Sequence, residues 1–306
     1  MSTPATAVPV RRFRRSDRDQ LTALVNAHAQ AVVPGVVVST NSALSQLERE
    51  PGEFVVDPWV RERVTLVAEQ RGRLSAAAHV LLYRDEPDVG DNYRGIGEIR
   101  WLLQWPAAPY WPDSDDAGRS VLASALDLMR HAGVRRVHAD PSLPAPGVYG
   151  VPEQWPHVQN LLTDAGFQPD GRAEVVLLAG VGRISRPAAP AAGLEVRRTL
   201  GVNGTRLAAH RGSDLVGYIE VDVLDAEARL VPAGGMADVG NLWVADGAPD
   251  GLALWLLGLA ADWLALGRVD RVLMYADENE PAELEQATAA GFQRLARTRR
   301  AWGLGT

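Results

Sequence analysis

The chain has 306 residues, 46% of them hydrophobic and 23% charged, with a net charge of −7 and no cysteine. That length divides into two domains of about 150 residues, and the acidic balance excludes the basic stripe that non-specific nucleic-acid binding needs. Without cysteine there is no disulfide, no thiolate zinc site and no cysteine acyl-enzyme, and because all 31 basic residues are arginine there is no Schiff-base lysine either.

Arg11, Arg12, Arg14 and Arg15 are followed by no apolar run, so the beginning of the sequence is not read as a secretory signal. The most apolar stretch, 252–266, is shorter than the ~20 residues that span a bilayer and contains Asp262. The expected location is the cytoplasm, with neither a membrane nor a nucleic acid as partner.

The elements follow in order. Residues 8–13 read as a short strand, and Ser16, Asp17 and Asp19 open a helix with acidic residues where the macrodipole favours them. Leu21, Leu24, Val25 and His28 continue it at helical spacing, and a shorter helix is expected over 40–50. Alternation and the Gly72 turn predict a hairpin over 63–84. A polar loop (85–93), a strand (95–104), a Pro-interrupted stretch, a helix (118–131) and a strand (134–139) come next. After a Pro/Gly-rich loop (141–152) the pattern predicts a helix to Ala165 and a strand over 172–179.

Residues 180–193 carry Pro187, Pro190 and neither periodicity, which marks a linker. Beyond it the order restarts with a strand (194–198) and a hairpin (205–211 and 214–224), but only 199–204 lies between them, where the first half has two helices. A strand (239–244), a turn (245–250), a helix from Leu252, a strand (269–275) and a helix ending in Ala290-Gly291-Phe292 complete the second half. Ala165-Gly166-Phe167 and Val134-Arg135-Arg136-Val137 echo Ala290-Gly291-Phe292 and Val269-Asp270-Arg271-Val272, and Gly97 to Leu102 is matched with Gly240 to Val244. The expected fold class is α/β, more narrowly a mixed α+β sheet, duplicated: domains at 1–180 and 194–306 joined by a linker at 181–193, the second domain lacking the first two helices.

The first turn of a helix leaves backbone N–H groups unpaired at the positive end of the dipole, and a glycine there lets a phosphate approach. Gly251 stands at such a point. A strand, this turn, a helix, a strand and a helix ending in Gly-Phe resemble the acyl-CoA-binding core of the GNAT N-acetyltransferase superfamily, and the whole chain resembles its tandem-domain members. The family turn reads Arg or Gln, two residues, Gly, one residue, Gly or Ala. Ala248 to Ala253 keeps Gly251 and Ala253 but has Ala248 at the first position. Asp115 to Ser120 keeps only Gly118 and sets Asp115 and Asp116 where phosphates would lie.

The resemblance implies acetyl-CoA as acyl donor, bound in the second half by Trp243, Val244, Ala245, Gly251, Leu252, Ala253 and Asn279, the last from Asn279-Glu280-Pro281-Ala282. It implies transfer of the acetyl group by direct attack to an amine of a small molecule or peptide. The oxyanion donor is expected among the backbone N–H groups of Trp243, Val244 and Ala245; Glu220, Asp222 and Asp238 are the candidate bases. The family's tyrosine before Gly-Phe is absent: Leu162 holds its place in the first half, Gln286 or Ala287 in the second. Tyr275, with Tyr218, is the substitute acid, so the catalytic set is Glu220, Asp238 and Tyr275.

The rival reading is an acyl-CoA-binding or sensing protein that has lost turnover. Arg294, Arg297, Arg299 and Arg300 meet either an anion or solvent at a strand edge. The six histidines show no metal spacing and no metal is expected. His138 and His157, with Tyr149, Trp155, Trp101, Trp105 and Trp111, are candidates to line a pocket. With its two helices missing, the second half is expected to borrow part of its acceptor site from the first half or from another subunit, and a homodimer is compatible with the sequence.

Overall fold

The computed structural model describes residues 8–49, 56–106, 114–224 and 235–304. The chain divides into two compact units, one of Met1–Arg172 with Thr298–Thr306 and one of Ala173–Arg297.

The first unit runs β1 (Val10–Arg12), α1 (Arg18–Val32), α2 (Thr40–Glu48), β2 (Val60–Gln70), β3 (Arg73–Tyr83), β4 (Ile96–Gln104), α3 (Ser114–His131), β5 (Arg136–Ala139), β6 (Val151–Pro152), α4 (Pro156–Asp164) and β7 (Phe167–Pro169). The second runs β8 (Ala173–Gly180), β9 (Leu194–Leu200), β10 (Thr205–Arg211), β11 (Asp214–Val223), β12 (Gly235–Val244), α5 (Leu252–Leu266), β13 (Val269–Asp277), α6 (Pro281–Ala290) and β14 (Gln293–Arg299), after which β15 (Trp302–Leu304) returns to the first. No helix among the described residues is long and apolar enough to cross a membrane.

The first sheet has the order β1-β2-β3-β4-β5-β15-β7, and the second carries β14-β8-β13-β12-β11-β10-β9. Each contains a parallel pair: β4 with β5 and β12 with β13. From Leu74 to Tyr83, β3 is buried at every position, with both α3 and α1 packed against it. The α1 residues Leu21, Leu24, Val25, His28, Ala29 and Val32 form the buried stripe that their spacing predicts.

α5 is apolar nearly all round, which a helix on one sheet face cannot satisfy alone. Its other sides meet α6 and the segment after β8. Val181 and Ile184 are buried in the same core, Ser185 N–H donates to the Ala290 carbonyl at 2.9 Å, and Arg186 Nε reaches Asp262 at 2.6 Å. Gly258 is required here, since a Cβ would come within 2.9 Å of the Ser185 carbonyl oxygen. Residues 181–187, read from the sequence as linker, are thus built into the second unit.

The expected boundary at 180 also changes. β8 pairs antiparallel with β13 from Arg271↔Gly180 to Asp277↔Glu174, and its Val175, Leu177 and Ala179 face the second core. β15 makes the reciprocal move: Trp302 pairs with Ala139 of β5 and Pro169 of β7. The slot beside each parallel pair is therefore filled by the strand that ends the other half of the sequence. The second unit has no helix between β9 and β10, as the sequence predicts.

Register also corrects the internal alignment. Trp101 faces His79 as Asn241 faces Glu220, so Gly97 corresponds to Ala237 and Arg100 to Gly240, three positions from the match suggested by the glycines. Gly97 packs against Met129, while Gly240 is a bulge residue beside Asn203.

Trp302 is 1% exposed; Trp302→Ala should cost about 3–5 kcal/mol in urea unfolding, and a loss under about 1 kcal/mol would mean that β15 is not docked as described. Burial holds the His28 and His79 imidazoles neutral, each lowered to about 3, His28 beside His157 at 3.0 Å and His79 beside Arg63 and Arg100. The unfolded chain takes up these protons below about 6.5 and the folded chain does not, so their contribution is complete above that pH and is lost as pH falls toward 3. Urea melts at pH 7, 5.5 and 4.5 should show His79→Gln losing stability more slowly than wild type, by about 1.4 kcal/mol per pH unit.

Candidate active site

β12 and β13 pair from Gly235↔Val269 to Asp238↔Leu273 and no further. β12 then continues with β11 to Val244, and β13 with β8 to Asp277, so the two strands part. A β-bulge marks the point: Glu220 faces Asn241 and Val221 faces Val239, with Gly240 the extra residue.

Ala245 N–H donates to the Val216 carbonyl at 3.0 Å. Hydrogen-bonding direction alternates along an antiparallel strand, so Trp243 also turns its N–H toward β11, while Leu242 and Val244 turn theirs toward the gap. Of the three expected oxyanion donors only Val244 is suitably directed. Leu242, outside the expected set, is directed the same way. The Trp243 and Val244 side chains are among the few large apolar groups left exposed.

α5 begins beyond this edge. Gly251 is its N-cap at φ 81°, with nothing within 4 Å of the position a Cβ would take and no side-chain cap. Leu252 N–H bonds to Pro249 and Trp255 N–H to Gly251, which leaves the N–H groups of Ala253 and Leu254 at the positive end of the dipole. The first turn holds no acidic residue. Leu252 and Ala253 bury their side chains in the core, so only their backbone is available.

In the first unit the chain itself returns to the start of the equivalent gap. β4 and β5 part after Ile99↔Ala139, but Ser142 N–H donates to the Arg100 carbonyl at 3.0 Å and Trp101 Nε1 donates to the Ser142 carbonyl at 2.9 Å. Gly118 lies inside α3, not at its entry as the turn alignment expects. A Cβ there would sit 1.7 Å from Gln104 Oε1, and Gln104 Nε2 donates to Asp115 Oδ1 at 2.7 Å.

Asp238 stands where β12 and β13 diverge, directly opposite Asp222 on β11. Tyr275 donates its hydroxyl to Asp238 Oδ2 at 2.8 Å, and Oδ1 is buried with no partner among the described residues. Burial raises the Asp238 carboxyl to about 6, the Tyr275 hydrogen bond opposing this and the Asp222 charge adding to it. The structure thus brings Asp238 and Tyr275 together.

Glu220 does not join them as a base. It is fully buried; the N–H groups of Val202 and Asn203 donate to it at 3.2 and 3.1 Å, and Arg206 Nε at 2.6 Å. Desolvation is outweighed by these donors and its carboxyl is held below the ordinary range. Glu220 is the anchor of the β9–β10 turn.

Tyr218 lies on the same sheet face, stacked near Trp243, with the Arg206 guanidinium 4.4 Å from its ring and its oxygen accepting from Asn241 at 2.9 Å. Asn279 is exposed and folds onto Asp277 Oδ1 through its N–H at 2.8 Å and Nδ2 at 3.0 Å.

The remaining candidates disperse. Arg297 pairs with Glu278 and Arg300 with Asp140, so neither is a solvated edge cation; Arg299 pairs with Val151 of β6. Trp101 and Trp155 are core, Trp155 Nε1 donating to the His28 carbonyl at 3.0 Å, and Trp105 Nε1 donates to Leu74. Trp111 lies outside the described residues. Among the described residues no group of three or more His, Asp and Glu is arranged to hold a metal.

No protein-family model matches the sequence, and no curated protein matches it. Solved structures do match in fold. A tandem GNAT protein from the clavulanic acid biosynthesis pathway (without AcCoA) superposes with a TM-score of 0.65 at 17% identity, over 98% of this chain and 99% of that one. A GCN5-related N-acetyltransferase from Sphaerobacter thermophilus gives 0.61 at 15% identity, over 96% and 94%. A GCN5-related glucosamine N-acetyltransferase region of a fungal multi-domain GH3 β-N-acetylglucosaminidase gives 0.65 at 14% identity, over 98% of this chain and 38% of that one. The fold is that of tandem GNAT proteins.

A half-buried carboxylate raised to about 6 is costly to keep charged. Its charged form is disfavoured by folding, so Asp238 lowers stability above its folded pKa, and that penalty fades as pH falls toward the unfolded value. Asp238→Asn should therefore stabilise the protein at pH 8 by on the order of 2 kcal/mol and give no gain at pH 4. Equal stability of the two proteins at pH 8 would contradict the burial of this charge.

Proposed function

We propose that this chain is an acyl-CoA-dependent N-acetyltransferase whose cofactor site lies in the second unit, between β12 and β13 and against the start of α5. The observation that carries this reading is the parting of the two strands immediately beyond Asp238, with gap-facing N–H groups on one wall. The fit to acetyl-CoA is supported by the uncapped first turn of α5, its lack of acidic residues and the free space at Gly251. The first unit offers less, since residue 142 and the Gln104–Asp115 pair fill the corresponding places. Fold likeness to a tandem GNAT protein and to a GCN5-related N-acetyltransferase accords with it.

Acetyl-CoA would supply a thioester activated toward an amine. Asp238 is assigned to take the proton from the attacking ammonium, a task suited to a carboxylate raised toward neutrality. Tyr275 holds Asp238 through Oδ2, and Oδ1, buried and without a partner among the described residues, keeps its accepting capacity unspent. Val244 N–H is assigned as donor to an oxyanion developing in the gap. The acceptor is an amine of a small molecule or peptide.

Calorimetry with acetyl-CoA and free-thiol release with an amine panel test both halves of the reading. Gly251→Ala carries the cost of a left-handed side chain, about 1–2 kcal/mol, without bulk; Gly251→Trp adds bulk at the proposed phosphate. The expected result is that Trp abolishes binding and Ala keeps most of it; equal binding by wild type and Gly251→Trp would remove the cofactor from this place. Asp238→Asn should lower kcat by about 10²–10⁴-fold, and the wild-type rate should rise with pH through about 6. Tight binding with no thiol release from any amine would favour the sensing protein, for which the absence of a tyrosine from α6 speaks.

A further inference from the structure

The first unit contains a cavity of about 690 Å³ bordered by β4, β5, β7 and the chain around Arg300, within the range of small-molecule sites. It lies on the sheet face that carries Glu98, the register counterpart of Asp238, since Glu98 faces His138 on β5 as Asp238 faces Leu273 on β13.

Its charges are mostly spent on one another. At the floor Glu98 accepts from the Tyr83 hydroxyl at 2.7 Å and from Arg100 at 2.9 Å. Arg300 grips Asp140 through two bonds of 2.9 Å and lies 4.8 Å over the Tyr149 ring. Arg172 Nε meets Asp170 at 2.6 Å. One lining cation remains, Arg136, whose guanidinium makes no hydrogen bond or ion pair among the described residues.

Arg136 and His138 alternate on β5 and so share the face toward the cavity. Burial, with the Arg136 charge, lowers the His138 imidazole, so it is a neutral hydrogen-bonding group. The side chains of Asn92, Tyr93 and Gln168 complete a polar lining, and their polar atoms make no hydrogen bond within the described residues. Exposed polar groups with one uncompensated guanidinium, over a floor of closed ion pairs, are complementary to an anion with a polar body.

We propose that this cavity binds a small polar oxyanion, held by Arg136 as counter-ion, as a site separate from acyl transfer. The proposal does not rest on the acyl-transfer reading, because every residue it uses belongs to the first unit.

Isothermal titration of the full chain with citrate, inorganic phosphate and, as the cationic control, putrescine tests it. The expected result is saturable one-to-one binding of citrate or phosphate, weakened at least tenfold in Arg136→Gln, an exposed position whose replacement leaves the fold intact by circular dichroism. Citrate alone would assign the anion as a carboxylate, phosphate alone as a phosphate. Binding of neither anion, binding unchanged in Arg136→Gln, or equal binding of putrescine would overturn it. So would two acetyl-CoA equivalents on wild type falling to one in Arg136→Gln, which would give the cavity to the nucleotide. Loss of acetyl-CoA binding in Gly251→Trp with citrate or phosphate binding intact would leave the two sites distinguishable.

Discussion

A parallel strand pair that separates leaves backbone hydrogen-bonding groups facing a gap, and buried or half-buried peptide groups must find partners. This constraint arises in both halves of the chain, at Ile99↔Ala139 and at Asp238↔Leu273, each next to a bulge. The halves answer it differently. In the first, Ser142 returns along the edge of β4 and donates to the Arg100 carbonyl. In the second, the counterpart Gly240 carbonyl accepts from Asn203 Nδ2 at 3.2 Å, and α5 starts with its own N–H groups uncapped. One duplicated backbone thus meets the carbonyl at its bulge with a returning chain in the first half and with a turn side chain in the second.

The side chains at equivalent register positions diverge along with the edges. Glu98 is locked to Tyr83 and Arg100, whereas Asp238 keeps one buried oxygen without a partner. His79, neutral and fully buried, occupies the position of Glu220, whose charge is absorbed by Arg206 and the β9–β10 turn. Because the second unit has no helices between β9 and β10, the face bearing Tyr218, Asn241 and Trp243 carries polar and aromatic groups where the first unit packs Trp101 against His79 and Gln46.

Much of this was legible in the sequence. Periodicity located α1 and both hairpins, the long apolar run located α5, and the shortness of 199–204 announced the missing helices. Strand exchange was not legible, since the alternation of Val175, Leu177 and Ala179 says that 173–180 is a half-buried strand but not whose core it enters. Glycines misled the internal alignment because Gly97 and Gly240 serve different needs, clearance for Met129 in one case and a bulge in the other. At the site, strand position alone could not separate Glu220 from Asp238. The separation depends on the 201–204 turn closing over one carboxylate, a tertiary event with no local pattern. Arg300 reaches Asp140 across 160 residues of sequence, and the cavity it helps to close is invisible for the same reason.

Asp238 shows how the candidate site differs from the core around it. Elsewhere the buried charges of this protein are compensated in place: Asp17 by Arg11, Glu98 by Arg100, Glu220 by Arg206. Asp238 has a neutral hydroxyl on one oxygen, nothing on the other and a second carboxylate across the strand. A fold selected for stability alone would neutralise that position, as the register counterpart Glu98 is neutralised. Keeping an under-compensated carboxylate where two strands open costs stability, and groups of this kind cluster at functional sites. The two units differ in sign as well: in the second the uncompensated group is the Asp238 carboxylate, and in the first it is the Arg136 guanidinium.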